Sequence, residues 1–362
     1  MHLLIPGALP PSNIAKDLIA QVEQHCPALV ERLKALVATV QELKPEHTGC
    51  TPFEAVKLQQ LGYTPPEGAN LGTGLASLHA GVKNTSETVW LAELSAITVG
   101  REGATIAHPA SFEVTNDEAD ALYDAVSGLW ADRAISALPI NARQWRIWLD
   151  PSASTRSLTP AAMAEMRLSD WWPQEDSLRE WRRLLNEIQM VWHEHPVNIA
   201  RAERGALPIN SLWLFGGAPG WSPKQVAVQP PRHAQSRTRA IGSTQAAPEP
   251  QTRAQTFHQT QQQKQTPSPI HTHSAGQPVT NEHGPTPVYE GLHTSYLQGD
   301  WAAWIAALPA LSEYLSTLDP NTTLTLTGQQ RAVVLTPARK RWWHFVLAPR
   351  PQSWNTWWNL PN

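Results

Sequence analysis

The chain has 362 residues, 41% of them hydrophobic, with 32 Pro, 17 Trp and a formal charge of −3. That length and apolar content suit one large or two modest folded domains, and the near-neutral charge excludes a global drive toward nucleic acid or an anionic membrane. Two cysteines, Cys26 and Cys50, exclude a disulfide framework, and no stretch reaches the roughly 20 apolar residues of a spanning helix.

Met1–Pro6 has no basic region and too short an apolar run for a signal peptide, so it reads as a short buried strand of a cytoplasmic protein. Ser12 or Asn13 caps a helix to about His25, where Pro27 interrupts. Leu29, Val30, Leu33, Leu36, Val37 and Val40 continue at helical spacing, which predicts more helix to residue 40. Thr51 as cap, Pro52 at the first position, Glu54 three residues after the cap and Gly62 beyond the end mark the clearest helix. Residues 63–86, with Pro65, Pro66 and several Gly, read as loop. Val89–Val99 predicts a strand, Ala104–Ala107 its hairpin partner, and Phe112–Val114 a third short run.

Thr115-Asn116-Asp117-Glu118 is another capping box and starts a helix to about Trp130. Gln144–Leu149 alternates as a strand, Thr159-Pro160 opens a short helix, and Ser177-x-x-Glu180 opens the helix that leads to His195. From about residue 222 to 287 large apolar residues almost vanish, and Gln, Thr, Pro, Ser and His take over, which predicts a disordered linker. Asp300 caps a helix Trp301–Leu318 that Pro309 should kink or divide. Thr323–Thr327 and Arg331–Leu335 form a hairpin, and a Trp-rich tail closes the chain. The organisation expected is a main domain at 1–221, the linker at 222–287, and 288–362 packing back on the main domain. Strands mixed with helices predict an α/β fold, α+β in part, with a mixed sheet and flanking helices.

The segment Leu184–Gly217 is the most informative. A helix runs into His195-Pro196-Val197-Asn198, then come Arg201, Gly205, Asn210 and the strand Ser211–Phe215 with Trp213-Leu214. This order resembles a segment of the archaeal-type cofactor-independent phosphoglycerate mutases of the alkaline phosphatase superfamily, and the closest likeness is to bacterial phosphoglycerate-mutase-like proteins. Trp90-Leu91-Ala92 and the Trp342-Trp343 region match further features of that bacterial branch. The resemblance implies two divalent cations held by Asp and His, with a Ser or Thr nucleophile at a helix N-terminus. Here the first strand is followed by Pro6-Gly7 in place of an Asp, and the ordered part after Val288 has no Asp and His at ligand spacing. The metal centre is therefore expected to be lost, leaving a catalytically degenerate binding or regulatory protein with no cofactor. The rival reading is an active metal-dependent phosphotransferase, which three of Asp17, His79, His108, Asp150, His195 and His293 converging would favour. A further rival is an interaction protein without a small-molecule site.

Thr51, at the start of a helix in a run similar to Thr-Pro-Leu-Glu-Ala of the family, suits either an anion site or a simple capping box. His195 follows His193, but residues two apart diverge on a helix, so His195 reads as a terminus hydrogen-bonder. Asn198, Arg201 and Asn210 form the candidate anion site, since Arg presents a planar fork to carboxylate or phosphate; alternatively they cap, turn and ion-pair. Gly216–Gly220 is either a phosphate-approaching loop or a hinge. Arg339–Phe345 mixes cations with aromatics, yet the net charge makes nucleic acid a poor partner. The expected partners are a small anionic ligand and a protein meeting a Trp-rich surface.

Overall fold

The computed structural model describes residues 1–101, 103–131, 133–224, 286–337 and 353–360; these lie in one compact unit. The predicted linker and the Arg339–Phe345 cluster fall outside them, apart from the linker's first and last residues. The fold is mixed α/β, with two four-stranded sheets and helices against their faces.

The first sheet joins the two ends of the chain. Strands β1 (His2–Ile5), β2 (Leu36–Glu42), β9 (Thr323–Thr327) and β10 (Arg331–Pro337) lie in the order β1-β9-β10-β2. β1 runs parallel to β9, while β10 is antiparallel to both of its neighbours. The predicted hairpin β9–β10 thus stands between strands from the first 42 residues. On one face Leu3, Ile5, Leu324 and Leu326 meet the helices Ser12–His25, Pro27–Ala35 and Trp301–Thr317, with Trp354 and Trp358 closing the cluster. On the other, Leu4 and Ala332 meet Ala55, Val56 and Leu58 of the helix Pro52–Gln60.

The second sheet comprises β3 (Thr88–Ser95), β6 (Ser136–Pro139), β7 (Gln144–Trp148) and β8 (Ser211–Pro219) in the order β6-β7-β3-β8, all antiparallel. Its core is built on Trp145, whose ring meets Tyr123, Trp130 and Trp192 edge-on at 5.1, 6.1 and 5.8 Å. Such edge-to-face pairs add roughly 0.5–1.5 kcal/mol beyond area burial. The helices Asn116–Val126 and Arg179–His193 cover this face; Thr73–Ala80 and Pro160–Met163 cover the other. The expected strand Val89–Val99 is divided at Ala96: β3 stays in the sheet, and only β4 (Ile97–Gly100) makes the hairpin with β5 (Gly103–Ile106).

Several local expectations are corrected. Residues 36–42 form β2, because β-branched Val37, Thr39 and Val40 suit a strand and find β10 as partner. Residues 73–80 form a helix, hidden by Gly72 and Gly74; a Cβ on Gly74 would lie 2.5 Å from the Tyr63 ring, so packing outweighs helix propensity. Phe112–Val114 is not a strand; Phe112 is a core residue whose carbonyl accepts from Arg143. Pro309 does not divide its helix. It sits on the exposed face, where water can satisfy the carbonyl it leaves unbonded.

Candidate functional site

Ligands of α/β sheets bind outside the carboxyl ends of strands. At that edge of β1 and β9 lies a cavity of about 190 Å³, lined by Gly7, Thr327 and Gly328 from the strand ends. The chain leaves β1 through Gly7 at φ 72°, where a Cβ would lie 2.7 Å from Cβ of Tyr296; only glycine lets Tyr296 close this wall. Thr51, Phe53, Glu54 and Lys57 line it from the helix Pro52–Gln60, together with His79, His108, Glu165, His293 and Tyr296.

Glu54 is held in one orientation. Its Oε2 accepts from the backbone N–H of Thr51 at 2.8 Å, from Thr51 Oγ1 at 3.0 Å and from Thr159 Oγ1 at 2.6 Å. The Thr51 hydroxyl accepts in turn from the Glu54 N–H, completing the capping box. Oε1 takes none of these bonds. Burial raises the pKa of Glu54 against these donors, because desolvation disfavours the charged form.

Around it the cavity is held near neutral. Glu165 is pushed up to about 7 by desolvation and by the negative charges of Glu54 and Glu46. His108 and His293 are pushed down to about 4, first by burial, so both imidazoles are uncharged at pH 7. The His293 ring packs on Phe53 with centroids 5.4 Å apart. Among the described residues the Nδ1 of His293 and the hydroxyl of Tyr296 are buried without a hydrogen-bond partner, a costly state in an interior.

Lys57 and His79 also line an adjoining cleft of about 450 Å³, with Asn141, Arg143 and Gln144. Arg143 donates from Nη1 to the Phe112 carbonyl at 2.9 Å and stacks 4.6 Å over the Phe112 ring; its Nη2 is buried and unpartnered. Gln144 Nε2 bonds His79 Nδ1 at 3.1 Å and donates to the buried Glu93 at 2.8 Å. Two cationic side chains, Lys57 and Arg143, thus reach one opening from different sheets' territories.

Of the residues singled out from the sequence, Thr51 lines the cavity and the other four do not. His195 Nδ1 accepts from Val197 N–H at 3.3 Å, capping the helix Pro196–Glu203. Asn198 donates to the carbonyls of Trp192 and Ile209, both at 2.8 Å, and accepts from Ile209 N–H at 2.8 Å. Arg201 is 1% exposed and donates to the carbonyls of Leu207 and Glu113 and to Glu118. Asn210 bonds both backbone groups of Ile97. Gly216 and Gly217 lie inside β8. His79, His108 and His293 do share the cavity, while Asp17, Asp150 and His195 do not line it. Among the described residues, no three His, Cys, Asp or Glu side chains are grouped to hold a metal ion. Lys57, Arg143 and Glu165 were not singled out; only the Lys57 spacing, one turn after Glu54, was visible locally.

No protein-family model matches the sequence. The chain is 21% identical over 171 residues to a probable 2,3-bisphosphoglycerate-independent phosphoglycerate mutase of Geobacter sulfurreducens, covering 47% of this chain and 38% of that protein. It is 26% identical over 165 residues to the 2,3-bisphosphoglycerate-independent phosphoglycerate mutase of Methanosarcina acetivorans, covering 45% and 38%. A solved cofactor-independent phosphoglycerate mutase from Thermoplasma acidophilum aligns with 94% of this chain and 90% of its own, at 15% identity and TM-score 0.31. The molecule is a mixed α/β protein with a cavity at a strand edge. More particularly, it is related to the cofactor-independent phosphoglycerate mutases, and its matched segment spans 38% of the length of these curated relatives.

Proposed function

We propose that this phosphoglycerate-mutase-like protein is catalytically degenerate and acts as a binding or regulatory protein for a small anionic ligand. The observation that carries this reading is that Lys57 and Arg143 line one cleft, where the Arg143 guanidinium also pairs through Nε with Glu93 Oε1 at 3.5 Å. A guanidinium and an ammonium are the natural donors for a carboxylate or phosphate. Degeneracy is supported by the strand edge itself, where the strand ends supply Gly7, Thr327 and Gly328 and no carboxylate. Of the two carboxyls that line the cavity from other elements, Glu54 is committed through Oε2 to capping its helix and to Thr159, and burial beside Glu54 raises the pKa of Glu165 to about 7. Asn198, Arg201, His195 and Asn210 serve in this reading to lock the second sheet to its helices. The free, buried Cys26 and Cys50 fit a reducing cytoplasm, and among the described residues no helix is long and apolar enough to cross a membrane.

Calorimetric titration of the full chain with inorganic phosphate and 3-phosphoglycerate tests the reading. Saturable binding is expected, weakened at least tenfold in Lys57→Met and Arg143→Met, with no phosphate release or isomerisation on incubation with manganese, zinc or magnesium. Unchanged affinity in both variants would overturn it. The rival, an active metal-dependent phosphotransferase, draws on His79, His108 and His293 lining one cavity, although among the described residues no three such side chains are grouped to hold a metal ion. About two retained divalent ions per chain with turnover would establish that rival in its place.

A further inference from the structure

The anion seat accounts for only half of the opening. Beyond Lys57 and His79, which line both spaces, the inner cavity offers several groups that can accept a hydrogen bond. The Oε1 of Glu54 is left over by a carboxylate whose other oxygen is fixed by three donors. Glu165 lines the same cavity, near enough for its charge and that of Glu54 to repel, and among the described residues the His293 Nδ1 and Tyr296 hydroxyl have no hydrogen-bond partner. Phe53 adds an aromatic ring to the wall.

Resting on the reading above, we infer that the ligand is a small zwitterion, with its acidic group on Lys57 and Arg143 and an ammonium group on Glu54 Oε1 and Glu165. An ammonium group carries three donors and no acceptor, which matches two carboxyls, uncharged imidazole nitrogens and an aromatic ring. A phosphate or carboxylate placed there would face Glu54 and Glu165 at close range. Glu54 and Lys57 lie three residues apart on one helix face, so their side chains leave the helix roughly 5–6 Å apart. The two charges of the ligand are therefore separated by only a few bonds, as in an α-amino acid or an aminoalkyl phosphate. The ionisable groups facing the ammonium position are Glu54 and Lys57 from the helix Pro52–Gln60, His79 from Thr73–Ala80, His108 before the turn at Pro109, Glu165, and His293 and Tyr296 from the helix His293–Gln298. Mutual repulsion of Glu54 and Glu165 is relieved by a bound cation, so zwitterion affinity should rise between pH 6 and 8.

Calorimetry on the intact chain with two matched pairs tests this: L-serine against glycerate, and phosphoethanolamine against ethyl phosphate. The expected result is at least tenfold tighter binding of the amine in one pair, and the responding pair identifies the acidic group. Glu165→Gln should abolish that preference while leaving the amine-free partner's affinity within twofold, and Glu54→Gln should do the same if its helix cap holds. Equal affinity within both pairs, or a preference that survives Glu165→Gln, overturns the zwitterion and leaves the anion seat standing. Binding of none of the four, nor of phosphate or 3-phosphoglycerate, removes the anion reading on which it rests.

Discussion

Arg201 and Asn198 show how a residue pattern with the look of a ligand site is absorbed by the fold. The Arg201 guanidinium holds two backbone carbonyls and Glu118, which also meets Arg204, and its carbon end lies 5.9 Å from the Phe112 ring that Arg143 covers on its own side. Removing one partner of a buried, hydrogen-bonded charge leaves the others unpaired. Arg201→Ala should therefore lower stability by about 3 kcal/mol, read by urea denaturation, with ligand affinity unchanged. The cavity's titratable residues predict a distinctive pH response. His108 and His293 titrate near 4 when folded and near 6.5 when unfolded, so their contribution is lost as pH falls from 6.5 to about 4. Glu165 titrates near 7 when folded and 4.5 when unfolded, so its contribution is lost as pH rises through that window. The two slopes oppose each other. Glu165→Gln should expose the imidazole slope, with stability falling toward acid. The double variant His108→Gln, His293→Gln should expose the reverse slope. Parallel stability curves for all three proteins would contradict this account.

Capping and pairing divide what is legible in an element from what is not. The boxes at Thr51–Glu54 and Thr115–Glu118 involve residues three apart, and both form as read, with reciprocal bonds at each cap. Thr51→Ala should cost about 1 kcal/mol in thermal or chemical unfolding, and more if Glu54 loses its orientation; stability equal to the parent would show that the box is idle. β2 was not legible, because Leu36, Val37 and Val40 fit a helical spacing as well as a strand. What decides is a partner strand nearly 300 residues away, and Val37 and Val40 remain 52% and 40% exposed on it. The helix opening toward Ser177 begins instead after a short 3-10 turn, with no side-chain cap on Leu178. A strongly amphipathic run carrying Trp181, Leu184, Leu185, Ile188 and Trp192 into the core suffices to hold it.

The whole molecule is closed by its ends. β9 and β10 separate β1 from β2, and Tyr289 N–H donates to Leu4 O at 2.9 Å. A chain ending at residue 287 would leave β1 and β2 without neighbours in a sheet whose core also needs Trp304 and Leu308. Such a truncation should lose the cooperative transition of the first-sheet half, seen as early protease cleavage within residues 1–60; a protected fragment would contradict the topology. The site follows the same logic. Thr51 could be read from local spacing, whereas His79, His108, His293, Lys57 and Glu165 share the strand-edge cavity, and Arg143 lines the cleft beside it, only because distant segments fold together. The central claim is that this edge binds without transferring phosphate. It is tested most directly by ³¹P NMR of 3-phosphoglycerate with the full chain, magnesium and zinc. A resonance that shifts with protein concentration, with no new phosphorus signal over hours, is the predicted result. Appearance of 2-phosphoglycerate or inorganic phosphate in proportion to protein would contradict it.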